Sequence, residues 1–458
     1  MKKILVIAII IITCLSFRLL LIHEDEPIPV PPSKQRTGNA EDGFKYMVTG
    51  DYVNSGLPLN LYYLALKKEK TDLLDRGGDN ATVRYDFNVV KAFNGEDIVV
   101  PNCLQCHAET FNGKLMIGLG NTTGDFTKGQ KLNSKSLEKM LMVYLKLNPK
   151  KYEAAKEFVS VAQTIYDQLF VDIVGVNPAD RLTALLIAHR DPVSFAWSEK
   201  ALIEVPKEII PSDVPAWWLL KKKNAMFYNG FGRGDFGKYL MGSSLLTLTD
   251  TLHAKDVDMH MPDLLSYLYS ITAPKYPGAI DEQLAAKGKI IFENNCSHCH
   301  GTYGSNGNYP NLLIPEPVVG TDSLLNQNNY QYGEMIDWYN KSWFSKGDHP
   351  AKLTPFNGYI APPLDGIWIT APYFHNGSVP TIEAVLNSKI RPSYWTRNFD
   401  SAKYDYEKLG WQYQTLAAPG DKYVYNTSLP GYGNYGHTFS DQLTDKERKA
   451  VIEYLKTL

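Results

Sequence analysis

The residues with the most distinctive chemistry fall in two short runs, Cys103-Leu104-Gln105-Cys106-His107 and Cys296-Ser297-His298-Cys299-His300. Each places two thiols three positions apart and an imidazole directly after the second. That spacing is the attachment signature of a c-type haem. The thiols add across the vinyl groups, and the adjoining His falls under the iron as its proximal ligand. A C-x-x-C pair also serves as a disulfide, a thioredoxin-like redox couple or half of a zinc site. Zinc wants both pairs inside one compact module, whereas these two lie far apart in the chain. Four of the five cysteines are used in the two runs, leaving only Cys14. The expectation is two covalently attached c-type haems, one on Cys103, Cys106 and His107, the other on Cys296, Cys299 and His300, and hence redox chemistry at iron.

The elements that must position these runs are legible in part. At 458 residues the chain can bury a large core and form two domains. Hydrophobic content of 44% and charged content of 21% describe an ordinary globular protein, and a net charge of −2 gives no reason to expect a nucleic-acid partner. The N-terminus reads as an export signal: Lys2 and Lys3 precede an apolar run from Ile4 to Phe17. Extended to Ile22, the run approaches the ~20 residues that span a bilayer, so it also reads as an N-terminal anchor. The body is therefore expected in the periplasm or outside the cell. Helical spacing of apolar residues marks 134–147, 151–170 and 179–190. The expected division is residues 1–26 as signal or anchor and 27–45 as a proline-rich linker. An N-terminal haem domain follows over 46–275, then a C-terminal cytochrome c-like haem domain over 276–458, with Pro274 and Pro277 marking the boundary.

The last domain has the clearest architecture. Ile280 to Asn294 reads as a helix with Asp281 as N-cap, running into Cys296, and Thr444-x-x-Glu447 is a capping box that opens a final helix through Leu455. Gly288 would let the two cross closely. The fold expected for the whole chain is mainly α: two cytochrome c-like haem domains with long loops and little β.

A second motif, Thr370-Ala371-Pro372-Tyr373-Phe374-His375-Asn376-Gly377-Ser378, is dense in Pro, Gly, Asn and Ser and reads as a structured loop. Here the chain resembles the bacterial di-haem cytochrome c peroxidase superfamily, whose C-terminal haem domain carries such a loop. The segments Val214-Pro215-Ala216-Trp217-Trp218, Arg391-Pro392 and Gly436-His437-Thr438-Phe439, with the His-Asn-Gly form of the loop, are similar to the rubber oxygenase branch. The resemblance implies a Trp between the two haems, here Trp218, and an axial role for His437 on the second iron. The superfamily's peroxidases also bind calcium between domains through carbonyl oxygens, which leave no sequence signature.

Which axial positions are filled decides the function, since a six-coordinate iron transfers electrons and an open one binds peroxide or dioxygen. For the second haem, Met335, His349, His375 and His437 all follow Cys299. For the first, His189, His253 and His260 are available but none has a distinguishing context, which favours an open iron. Phe227, Phe231 and Arg233 are expected to line its distal side, with Arg233 stabilising negative charge on a bound oxygen species. The function expected is an exported di-haem oxidoreductase, with one haem reacting with peroxide or dioxygen and the other exchanging electrons with a small periplasmic donor or acceptor. The alternatives are a non-enzymatic electron-transfer cytochrome, and oxidative cleavage of an apolar substrate as in the rubber oxygenases.

Overall fold

A computed structural model describes residues 26–128, 143–144, 146–331, 333–400 and 403–458. The apolar N-terminal run, Cys14 and most of the helical pattern at 134–147 lie outside the described residues. No helix among the described residues is long and apolar enough to cross a membrane.

The expectation of a mainly α fold with little β is corrected: the protein is 39% helical and 14% strand, a mixed architecture. The strands form six small sheets among the described residues. Most are two to five residues long, too short for a period-two alternation to stand out. The hairpin Ala108–Phe111 with Lys114–Ile117 follows His107 directly and turns at Asn112 and Gly113, both at positive φ. Asn-Gly is the pair that a tight two-residue hairpin turn prefers.

Two large apolar clusters hold the chain together. The first gathers Met47, Leu104, Leu185, Trp217 and Leu265 around the first C-x-x-C-H run. It also draws Trp338, Tyr339, Phe344 and Ala351 from beyond the proline-bearing connector at 274–277. The second contains Trp218, Phe292, Trp368, Tyr373, Val451 and Tyr454. Its frame is the helix Glu282–Asn295 crossing the helix Asp445–Leu455. Asp281 caps the first by accepting from the amides of Gln283 and Leu284. Thr444 and Glu447 form the reciprocal capping box on the second. The crossing is close enough that a Cβ on Gly288 would lie 1.8 Å from the Ala450 carbonyl oxygen, so only glycine fits.

The N-terminal stretch is tied down by a strand pairing and by ion pairs. Ile28–Pro29 pairs antiparallel with Leu312–Pro315, which pairs in turn with Gly358–Ile360. A few residues on, Arg36 bridges Asp235 at 2.6 Å and Asp258 at 2.7 Å.

Candidate functional site

Each C-x-x-C-H run ends in a single helical turn, Leu104–His107 and Ser297–His300. The turn brings both thiols and the imidazole to one side. None of the four described cysteines is in a disulfide. No cluster of three or more His, Cys, Asp or Glu side chains that could hold a metal forms among the described residues. Burial pushes all four thiols up, Cys296 to about 11, the reverse of the depressed value that a thioredoxin-like couple needs. Protonated, unpaired thiols beside a neutral His are the groups from which thioether attachment starts. Burial likewise pushes His107 down to about 3 and lowers His300, keeping both imidazoles in the neutral form that binds metal.

The two centres are built differently. At the second, His300 Nδ1 lies 2.8 Å from the Pro362 carbonyl oxygen. A carbonyl only accepts, so Nδ1 carries the proton and Nε2 is left free, the usual support for a ligating histidine. Across from it stands His437, with ring centres 6.1 Å apart. Two imidazoles on opposite sides of one metal ion, each at a metal–nitrogen distance of about 2 Å, have ring centres roughly 6 Å apart. The His437 Nδ1 is shielded from solvent and has no hydrogen-bond partner among the described residues. Burial first, then His300 and Arg391, pushes the ring down to about 3. The pair therefore fits a haem iron between them.

His437 is held from behind. Its φ is +44°, its amide donates to the Val319 carbonyl at 2.7 Å, and a Cβ on the preceding Gly436 would lie 2.1 Å from the Gly320 oxygen. Arg391 then ties this loop to the helix Ile382–Leu386: its guanidinium donates to the carbonyls of Asn434, Gly436, His437, Ala384 and Val385. We expect Arg391→Gln to leave those carbonyls without donors, cost ~2–4 kcal/mol in urea unfolding and loosen His437. Where a haem is attached at Cys296 and Cys299, its low-spin absorption, measured in the holoprotein, should then become partial.

At the first centre, the ring of Trp217 stacks on His107 at 4.4 Å and 19°. His107 Nδ1 has no partner among the described residues. The thiols are flanked by Tyr52 and Ser243 at Cys103 and by Asn177, 3.2 Å from Cys106 Sγ. His189 points Nδ1 to the Ser198 carbonyl and stacks on Trp197, His253 lies beside Asn54, and His260 stacks on Tyr46. None of them is in ring contact with His107.

Trp217 and Trp218 straddle the gap between the centres. Trp218 donates its indole N–H to the Asp365 carbonyl at 2.8 Å, three residues from the carbonyl that orients His300. Lys222 reinforces the junction, 2.7 Å from both Asp365 carboxylate oxygens and over the ring of Tyr303. Tyr303 in turn donates to the His300 carbonyl. Sequence reasoning selected Trp218; it missed that Trp217 is the ring against His107. Adjacent residues opening the 3-10 helix Trp217–Lys222 project about 120° apart, so the Trp-Trp pair itself carried that signal.

Of the other expected residues, Arg233 sits in the short strand Gly232–Gly234 paired with Ala351–Leu353. Its Nη1 is buried and unpartnered among the described residues, and no hydrogen bond or ring contact ties it to Cys103, Cys106 or His107. Phe227 packs on Tyr239, and Phe231 is buried. Met335 packs against the first cluster, away from His300, and His349 is exposed. In the 370–378 loop it is Phe374 that faces His437, with ring centres 5.9 Å apart.

His375 instead stacks on Tyr359 at 4.5 Å, and burial pushes it down to about 3. Its ordinary value is about 6.5, so between these limits the unfolded chain binds a proton that the folded chain does not. The stabilisation is complete above about pH 6.5 and fades as pH falls, by up to ~1.4 kcal/mol per unit. Urea unfolding at pH 7 and pH 5 should differ by ~2 kcal/mol more in the wild type than in His375→Gln.

Residues 358–396, which include Pro362, Asp365, Phe374 and Arg391, match the RoxA-like, cytochrome c-like family. Together with the two C-x-x-C-H centres, that match defines a c-type haem protein of the oxidoreductase class. Within the class the matched stretch is of the RoxA-like kind. The chain is also 30% identical over 250 residues to the uncharacterized protein y4iJ of Sinorhizobium fredii, covering 40% of this chain and 41% of that one. It is 24% identical over 305 residues to the uncharacterized protein y4iM of the same organism, covering 59% and 69%. The chain thus spans about two fifths of the length of the first relative. A chain of Kuenenia stuttgartiensis hydrazine synthase gives TM-score 0.27 at 13% identity over 65% of this chain and 92% of that one, a likeness too weak to speak for a shared fold.

Proposed function

We propose that this protein is an exported c-type di-haem oxidoreductase in which the first centre reacts with peroxide or dioxygen and the second relays electrons. The observation that carries this reading is the asymmetry of the two proximal imidazoles. His300 has a second imidazole, His437, opposite it, whereas His107 has an indole against it and no imidazole in ring contact among the described residues.

Haems at the two runs supply one-electron redox chemistry at iron and, where an axial position is free, a binding position for peroxide or dioxygen. The protein's part is division of labour. His300 and His437 together would hold the second haem iron, which would suit electron transfer rather than substrate binding. His107 alone would hold the first. The adjacent indoles would serve the two centres in turn, Trp217 by stacking on His107 and Trp218 by its hydrogen bond to Asp365, while the stretch Pro362–Gly366 fixes His300 and Trp218 relative to each other. Arg233, whose Nη1 is unpartnered among the described residues, would be the donor to an anionic oxygen of the substrate. Electrons are exchanged with a small periplasmic partner protein, in keeping with the basic and apolar N-terminus.

A second reading, oxidative cleavage of an apolar substrate, draws support from the RoxA-like match. The matched residues surround the second centre, however, so they speak for the electron-relay half rather than for a substrate. Electron paramagnetic resonance and optical spectra of the haem-loaded protein, with and without peroxide, test the proposal. The expected result is one high-spin ferric signal that peroxide alters and one low-spin signal that it does not. Two low-spin signals inert to peroxide would leave an electron carrier and no enzyme.

A further inference from the structure

Arg190 is among the largest fully buried side chains of the protein, and it has no counter-charge among the described residues. Burial alone pushes its guanidinium down to about 10, and no carboxylate among the described residues acts to raise it. Its Nη1 donates to the carbonyls of Phe195 and Leu248, and its Nε donates to nothing among the described residues. Trp197 lies beneath it, 4.9 Å from guanidinium carbon to ring centre, and an isolated backbone bridge joins the two residues. The Trp197 indole N–H is a second buried donor without an acceptor. The turn that brings them together is tightly made: Asp191 accepts from the amides of Val193 and Ser194, and Phe195 is held at φ +62°. An unpaired buried cation beside an unpaired buried N–H is costly unless an anionic acceptor arrives.

Two stretches of chain connect this corner to the thiols of the first centre. Asn177, against Cys106, leads into the helix Ala179–Ala188, which ends just before Arg190. At about 1.5 Å per residue, that helix is about 15 Å long. Ser243, hydrogen-bonded to the Cys103 thiol, leads through the turn Met241–Leu246 to Leu248, whose carbonyl Arg190 holds. Both walls begin at a cysteine and end at Arg190. A haem attached at Cys103 and Cys106 would carry its two propionates on the edge opposite the thioethers, the edge that these stretches would turn toward Arg190.

We propose that Arg190 and Trp197 form the carboxylate-binding site for the propionates of the first haem. The proposal rests on the reading of Cys103 to His107 as a haem attachment site. The haem then brings the missing anion, and charge-assisted hydrogen bonds from Nε and the indole satisfy both orphaned donors. The cation at the haem edge favours the reduced state of the first iron.

The test uses the holoprotein as wild type, Arg190→Gln and Trp197→Phe, the latter removing the N–H while keeping an aromatic ring. Covalent haem staining and a pyridine haemochrome count come first. A wild type lacking haem at Cys103 would defeat the attachment reading itself. With two haems attached, spectroelectrochemical titration of R190Q should lower the reduction equilibrium of the first haem at least tenfold, or 59 mV for one electron, and leave the second unmoved. Resonance Raman should show the propionate bending band displaced in W197F. Potentials and propionate bands equal to the wild type in both variants would overturn the proposal. Should R190Q fail to fold, the Raman comparison of W197F with the wild type decides alone.

Discussion

With a haem attached at Cys296 and Cys299 as proposed, a His437→Ala protein should lose that haem's low-spin signature and gain a high-spin, ligand-accessible iron there. The expectation follows from geometry and from the lack of any substitute. His437 is the imidazole opposite His300, and its shielded Nδ1 has no protein partner among the described residues. The other conceivable ligands are committed elsewhere. Met335 packs on the first cluster, His375 stacks on Tyr359, and His349 lies exposed before the strand Ala351–Leu353. Loss of the sixth ligand should therefore be complete, with carbon monoxide binding at both reduced haems instead of one. His437→Met should instead keep a six-coordinate iron and raise its potential, because thioether ligation favours the reduced state. Unchanged low-spin spectra in the alanine variant would remove His437 from the site.

Asn376→Asp should unfold the protein far more readily than its near-identical size suggests. The Asn376 side chain is fully buried and donates to the carbonyls of Gly431 and Gly433, each at 2.9 Å. Its own oxygen accepts from the Ser378 amide, and its backbone carbonyl accepts from Tyr425. A carboxylate there would put an oxygen where a donor faces two carbonyl oxygens, inside the protein, with no cation in place. Leaving an uncompensated buried charge costs ~3–5 kcal/mol. Protonation restores one donor, so the defect should shrink as pH falls toward 4. Chemical unfolding of wild type and variant at pH 7.5 and pH 5, compared as differences, measures both effects. Equal stability of wild type and variant at pH 7.5 would show that the loop tolerates either residue.

How much of this was legible depended on how local the signal was. The C-x-x-C-H spacing, the capping box at Thr444 and Glu447, and Asp281 as a cap were readable because each involves contacts within a few residues. The crossing at Gly288 was readable because a glycine inside a helical pattern needs a reason. The sheets were missed because strands of two to five residues have no period to detect. Their available signs were turns: Asn94-Gly95 before the strand Asp97–Pro101 and Asn112-Gly113 after His107. Arg391 entered only as part of a resemblance. Its work, five hydrogen bonds to carbonyls from two separate segments, depends on contacts far apart in sequence that no pattern announces. The same holds for Pro362, whose carbonyl orients His300 and whose side chain tells nothing.

The pairing of Ile28–Pro29 with Leu312–Pro315 has a consequence for maturation. Every residue of Leu312–Pro315 is buried, and the two-residue strand covers one flank of it while Val30 packs onto Leu313 and Ile360. Trimming that removes this cover would expose an apolar strand edge, the kind of surface on which folded chains add to one another. A chain shortened past Pro29 would therefore present a site for self-association, whereas one that keeps Ile28 and Pro29 would not.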